Sequence, residues 1–85
     1  MNEIYENFCW FVNDEFLNRL HRYTGSLLFY EGWAEAAFKR DCYWMFYCMM
    51  SNSGLDEEAA FEMMKRDKRT LDKLFEEAMM EAKFE

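Results

Sequence analysis

The chain has 85 residues, of which 52% are hydrophobic and 20% aromatic, and it carries a formal net charge of −7. This length predicts a single domain over 1–85, and the aromatic content predicts a core built from large side chains. The negative charge disfavours direct binding to nucleic acids or anionic membranes and favours a basic protein partner. Solubility of an apolar protein is the simpler explanation of the excess acid.

The cysteines are odd in number and widely spaced, at Cys9, Cys42 and Cys48. This pattern argues against a disulfide framework and predicts a reducing, cytoplasmic environment. Charged and amide residues interrupt the first apolar residues, so no signal peptide is expected. The longest nearly uncharged run, 42–55, is too short to span a bilayer.

The first segment predicts a helix over about 2–22 that turns one apolar stripe towards the core. The stripe consists of Ile4, Phe8, Phe11, Val12, Phe16 and Leu20. Gly25, within Thr-Gly-Ser, can end this helix as a left-handed cap. The run 27–30 that follows is apolar throughout and is compatible with either extended or helical backbone.

The alanine-rich segment 31–40 predicts a helix with Trp33 and Ala37, together with the preceding Tyr30, facing the core. Gly32 lies near the start of this helix, where it lowers helix propensity relative to alanine. A glycine at this position is expected to allow the close approach of another helix.

Asp41 can cap a further helix through its carboxylate. The segment 42–50, Cys-Tyr-Trp-Met-Phe-Tyr-Cys-Met-Met, is apolar on every side. Such a segment is typical of a central, buried helix. A buried strand is the alternative, because aromatic residues also favour strands, and the lack of a convincing second strand favours the helix.

Beyond the turn sequence Ser-Asn-Ser-Gly, Ser53 can cap the next helix. A second apolar stripe follows, formed by Ala60, Met64, Leu71, Phe75, Ala78 and Ala82. The charged island 65–69 contains no core residue, so we expect a break there with Asp67 or Thr70 as the new cap. One helix over 55–84 is the alternative.

Together these segments predict an all-α fold, a compact bundle of four to five helices around a central apolar helix. Adjacent methionines cannot both face one core from a helix, so one of each pair is expected near the surface. Such residues suit either an adaptable binding face or simple tolerance. The pairs are Met49-Met50, Met63-Met64 and Met79-Met80.

Catalytic and metal chemistry finds little support in the sequence. His21 with the three cysteines could form a zinc site or a Cys-His dyad, but no pair has the spacing of zinc ligands. There is no Glu-x-x-His motif for a di-metal site, and the isolated glycines form no phosphate-binding loop. We therefore expect no enzymatic activity, no metal and no cofactor.

Three short elements follow one another in the middle of the chain: Tyr23-Thr24-Gly25-Ser26, Tyr30-Glu31-Gly32 and Tyr43-Trp44-Met45, before Met50-Ser51-Asn52. With these elements, residues 23–53 resemble a family of small uncharacterised proteins from phages, plasmids and bacterial genomes. In that family a Tyr-Trp-Leu segment begins eleven residues after the second glycine, which is also the spacing here. The family has no assigned activity, so the resemblance implies only a phage or mobile-element origin.

In size and charge the chain is similar to phage host-takeover factors and CRISPR inhibitors. The leading hypothesis is a non-enzymatic inhibitor that docks on a basic, nucleic-acid-binding host protein or defence complex and mimics nucleic acid. Its predicted partner-binding residues are Glu58, Glu62, Asp72, Glu76, Glu77 and Glu81. The alternative is a structural or regulatory helical module that forms a homo-oligomer through aromatic and methionine surface.

Overall fold

A computed structural model describes residues 3–23 and 29–83 of the chain. Within these residues the backbone forms four α-helices and no β-strand. The helices are α1 (Glu3–Arg22), α2 (Glu31–Asn52), α3 (Glu57–Arg66) and α4 (Lys68–Glu81). The prediction of an all-α bundle with four to five helices is therefore confirmed.

Helix α1 follows its predicted stripe. Phe8, Val12 and Phe16 are buried, because residues three to four apart recur on the same side of a helix. The predicted cap at Gly25 and the first part of the apolar run, 27–28, lie outside the described residues.

Helix α2 is one continuous helix, so the prediction that Asp41 begins a new helix is wrong. No glycine or proline occurs between Gly32 and Gly54, and the Asp41 carboxylate accepts a hydrogen bond from Nε of Arg40 at 3.1 Å. Gly32 is exposed, and a Cβ placed on it would meet no atom within 4 Å. The expected close approach of another helix at Gly32 is therefore also wrong.

Helix α2 contacts α1, α3 and α4, which confirms a central apolar helix. The segment 42–50 is nevertheless buried on one side only. Cys42 and Phe46 face the core, whereas Trp44 and Tyr47 are exposed. The expectation of burial on every side is wrong, because the other described helices pack only against the side of α2 that carries Cys42 and Phe46.

The turn between α2 and α3 contains Gly54, whose φ of 68° lies in the left-handed region that glycine adopts without strain. The cap of α3 is Asp56, since its carboxylate accepts the backbone N–H of Ala59 at 2.8 Å. The predicted cap at Ser53 is therefore wrong by three residues.

A break separates α3 from α4, as predicted. Asp67 caps α4 by accepting the backbone N–H of Thr70 at 3.2 Å and its hydroxyl at 2.6 Å. The hydrogen bond from the Thr70 hydroxyl, and to a smaller extent the one from the Thr70 backbone N–H, lower the pKa of Asp67, because both stabilise its charged form. A single helix over 55–84 is excluded.

The core is aromatic at its centre. The rings of Phe16, Phe38 and Phe75 meet in all three pairs, with centroids 5.7, 5.8 and 6.3 Å apart. Phe8 and Phe46 stack at 4.2 Å. Every residue of the second predicted stripe is buried: Ala60, Met64, Leu71, Phe75, Ala78 and Ala82.

The methionine prediction holds for two pairs. Met64 is buried while Met63 is 50% exposed, and Met79 is buried while Met80 is 59% exposed. The pair at 49–50 departs from it, because both side chains are half-buried.

The backbone before α2 is tied to the end of α4. Phe29 and Lys83 form an isolated antiparallel β-bridge, and the N–H of Tyr30 donates to the carbonyl of Ala82 at 2.9 Å. The described end of the apolar run is therefore extended. This tie places the start of α2 beside the last turn of α4.

Candidate protein-binding surfaces

The outer side of α2 carries a row of exposed side chains that we call the α2 strip. It consists of Trp33, Ala36, Arg40, Trp44 and Tyr47. Trp33 and Tyr47 are each 57% exposed, and Trp44 is 65% exposed. A single exposed ring is ordinary on a protein surface, but several on one helix face are typical of an interaction site.

The strip follows from helix geometry. Its members are separated by three, four, four and three residues, which places them on one side of a helix. The opposite side is buried and consists of Ala34, Phe38, Cys42 and Phe46. Helix α2 thus has two apolar faces, and the described structure covers one of them.

Arg40 lies at the middle of the strip and is held by two carboxylates. Its Nη1 and Nη2 donate to Oε1 and Oε2 of Glu81 at 3.0 and 2.8 Å, and its Nε donates to Asp41. The hydrogen bonds to Glu81, and to a smaller extent the one to Asp41, raise the pKa of Arg40, because they stabilise its charged form. Arg40 in turn lowers the pKa of Glu81, because its hydrogen bonds stabilise the charged carboxylate. These hydrogen bonds connect the middle of the strip to Glu81 of α4.

Two shallow depressions lie along the strip and meet at Arg40. One, of about 750 Å³, is lined by residues that include Trp33 and Ala36. The other, of about 600 Å³, is lined in part by Trp44 and Tyr47. The rings of Trp44 and Tyr47 stack on each other with centroids 5.8 Å apart. The strip therefore alternates bulky rings with open, apolar hollows.

The predicted partner-binding acids lie on α3 and α4. Half of them form ion pairs with lysine or arginine side chains of this chain. Glu62 pairs with Lys65 at 2.8 Å, which lowers the pKa of Glu62. Asp72 pairs with the buried Arg19 of α1 at 2.8 Å. Glu81 is held by Arg40 across the α2–α4 contact, as described above.

The remaining predicted acids are Glu58, Glu76 and Glu77. All three are exposed, and within the described residues none forms an ion pair. Glu76 and Glu77 are consecutive on α4, while Glu58 belongs to α3. The structure thus separates the six predicted acids into three that pair with cations of this chain and three that face solvent without a partner in the described chain.

The cysteines and the histidine that were considered as zinc ligands lie in different environments. Cys42 is buried, and burial raises the pKa of its thiol to about 12. Cys9 accepts a hydrogen bond from the hydroxyl of Tyr43 at 3.3 Å, and His21 is exposed. All three cysteines are free, and no group of three metal-binding side chains comes together among residues 3–23 and 29–83.

The α2 strip was missed by sequence reasoning. Trp33 and Tyr30 were expected to face the core, and both expectations are wrong, because the two side chains are 57% and 58% exposed. The sequence did contain an indication that part of α2 is exposed. Trp44 and Phe46 are two residues apart and therefore point to nearly opposite sides of a helix. They could not both face the same core.

A comparison with protein-family models, curated proteins and solved structures finds no match to this chain. Within its described part, no helix combines the length and the apolar character that crossing a bilayer requires.

Proposed function

We propose that this chain is a non-enzymatic protein-binding protein, encoded by a phage or mobile element, that inhibits a basic nucleic-acid-binding protein or defence complex in the host cytoplasm. The observation that supports the proposal is the pair of exposed carboxylates Glu76 and Glu77 on α4, which have no ion-pair partner among the described residues. Free carboxylates bind the same arginine and lysine side chains that hold phosphates. This resembles the action of an anti-CRISPR protein.

The overall charge supports the same class of partner. A net charge of −7 accelerates encounter with a basic surface, and this attraction weakens as salt is added. Among the predicted acids, Glu58, Glu76 and Glu77 are the docking residues we favour. Glu62, Asp72 and Glu81 already hold cations of this chain, so a partner would have to displace those cations first.

The experiment is a pull-down from host lysate with the purified protein as bait, performed with and without nuclease. The proposal expects a basic nucleic-acid-binding protein to be recovered more strongly after nuclease, because nucleic acid competes for its site. The double variant Glu76→Lys, Glu77→Lys should lose at least about tenfold of this recovery, which corresponds to about 1.4 kcal/mol.

A matched control is Glu3→Lys with Glu6→Lys, since these two exposed acids of α1 make the same change in net charge on another helix. Unchanged recovery by the control supports docking at α4. An equal loss in both double variants would show that the partner is attracted by the overall negative charge and not by a site on α4. Full recovery by the α4 variant would refute the proposal.

The α2 strip favours a second candidate function, a self-associating structural or regulatory module. Aromatic rings that are more than half exposed along one helix gain free energy when a second protein surface removes them from water. Sedimentation of the purified protein over a range of concentrations distinguishes this function from a purely monomeric inhibitor.

A further inference from the structure

We propose that the α2 strip binds a second copy of this chain, with the two α2 helices antiparallel about a two-fold axis at Arg40. The inference rests on the second candidate function and gives it a geometry. Its test is separate from that of the basic partner proposed for α4, because sedimentation of the purified protein contains no such partner.

The spacing of the strip is symmetric about Arg40. Ala36 and Trp44 each lie four residues from it, and Trp33 and Tyr47 each lie seven residues from it. In an antiparallel pair centred on Arg40, residues equally far from the centre face each other. Trp44 then lies against Ala36 of the second copy, and Trp33 lies against Tyr47 of the second copy. Such self-complementarity is what a two-fold interface requires.

The sizes of the facing residues match. Ala36 lines the depression of about 750 Å³, and Trp44, at 65% exposure, is the most exposed ring of the strip. The pairing inserts the Trp44 indole of each copy into the Ala36 depression of the other. Trp33 and Tyr47 meet at both ends of the contact, where aromatic pairs add stabilisation beyond their buried area.

The centre of the pair brings two arginines together. Each Arg40 already donates to Glu81 at 2.8 and 3.0 Å and to Asp41 at 3.1 Å, so the charge that enters the interface is compensated within each copy. Little ordering of the Arg40 side chain is therefore left for the binding step.

The area is sufficient for a modest dimer. Each half-exposed ring of the strip offers on the order of 100–150 Å², and contact along the whole face of α2 would bury on the order of 600 Å² per copy, at the lower edge of specific interfaces. Two chains of charge −7 repel each other. Added salt screens this repulsion and should strengthen the dimer.

The first test is sedimentation of the wild-type protein, Trp44→Ala and Trp10→Ala over a range of concentrations. Trp10 is a matched control, because it is a tryptophan with the same 65% exposure but lies on α1. The expected result is a concentration-dependent dimer that Trp44→Ala weakens at least about tenfold and Trp10→Ala leaves unchanged. A wild-type protein that stays monomeric, or equal weakening by both variants, would overturn the inference.

A size exchange tests the register. Ala36→Trp fills the depression and Trp44→Ala removes the ring that enters it, so each variant alone should dimerise poorly. An equimolar mixture should restore the dimer, because both contacts between positions 36 and 44 then join one tryptophan to one alanine. Circular dichroism of each variant verifies that it is folded.

The outcomes separate the proposals. A mixture as weak as the single variants, beside a wild-type dimer that Trp44→Ala disrupts, would overturn the Arg40-centred register while self-association stands. A monomeric wild-type protein would remove self-association altogether. Neither result affects the pull-down that tests the basic partner of α4.

Discussion

Both faces of α2 contain aromatic residues, but one face is buried and the other is exposed. On the inner face Phe38 is 0% exposed and Phe46 is 5% exposed, whereas on the outer face Trp44 is 65% exposed and Tyr47 is 57% exposed. The presence of aromatic rings does not distinguish the two faces, since both contain them. What distinguishes them is coverage, because the other described helices pack on the inner face.

Helix α4 shows the usual alternative. Leu71, Phe75 and Ala78 are buried on one side, and Glu76 and Glu77 are exposed on the other. Polar residues end the apolar surface of α4 at the edge of the core, as in most amphipathic helices. The contrast with α2 supports the proposal that the outer face of α2 contacts another protein.

The largest expected effect concerns the inner face. Phe38→Ala should lower the free energy of unfolding by about 3–5 kcal/mol, because it leaves a cavity among packed rings. Chemical denaturation measures this change. Trp44→Ala, measured at concentrations where the protein is monomeric, should change it by less than about 0.5 kcal/mol. Similar losses in the two variants would abolish the distinction between the faces.

Thiol reactivity provides a second comparison along α2. Cys42 belongs to the inner face and its pKa is raised to about 12 by burial, while Cys48 is half-buried. Because the thiolate is the reactive form, Cys42 should be alkylated at least about tenfold more slowly than Cys48. Mass spectrometry after timed iodoacetamide treatment measures both rates. Equal rates would mean that the core opens readily at Cys42.

Ionic strength should separate the two surfaces by the sign of its effect. Between about 0.05 M and about 0.5 M NaCl, the dimer formed through the α2 strip should strengthen severalfold, because like charges are screened. Binding of a basic partner by α4 should weaken over the same range. Sedimentation follows the dimer and the pull-down follows the partner. Weakening of the dimer by salt would indicate that charge pairs, rather than rings, hold it together.

The smallest expected effect concerns the link between α2 and α4. Arg40 lowers the pKa of Glu81 in the folded protein, so the stabilisation from this pair is present at neutral pH. It is lost as the pH falls below the ordinary glutamate value of about 4.3 and through the lowered pKa. The NMR signal of the Glu81 carboxylate carbon should report this titration. Glu81→Gln should remove it, and a persistent titration in that variant would assign it to another group.

Much of the fold was predictable because the patterns that specify it are local. The stripe containing Phe8 and Phe16 identified α1, and the charged island 65–69 with Asp67 identified the break between α3 and α4. Capping was less predictable, since Ser53 and Asp56 are both good caps by residue type. Ser53 is instead the C-terminal cap of α2, and Asp56, whose backbone is extended, caps α3.

The candidate surfaces were less predictable. Exposure of Glu76 and Glu77 followed from their place off the apolar stripe, but the capture of Asp72 by Arg19 joins residues 53 positions apart and leaves no local pattern. The same holds for Glu81, whose partner Arg40 is 41 positions away. Six acids with one sequence signature therefore have two different environments.

The sequence by itself determined the helices and the inner core, because the periodicity of apolar residues and the capping side chains act within a few residues of each other. It also determined that the segment 42–50 of α2 is apolar on every side. Only the tertiary structure decided which side of α2 remains uncovered, since that depends on where the other helices pack against it. The α2 strip exists because the number of apolar residues on α2 exceeds what those helices cover.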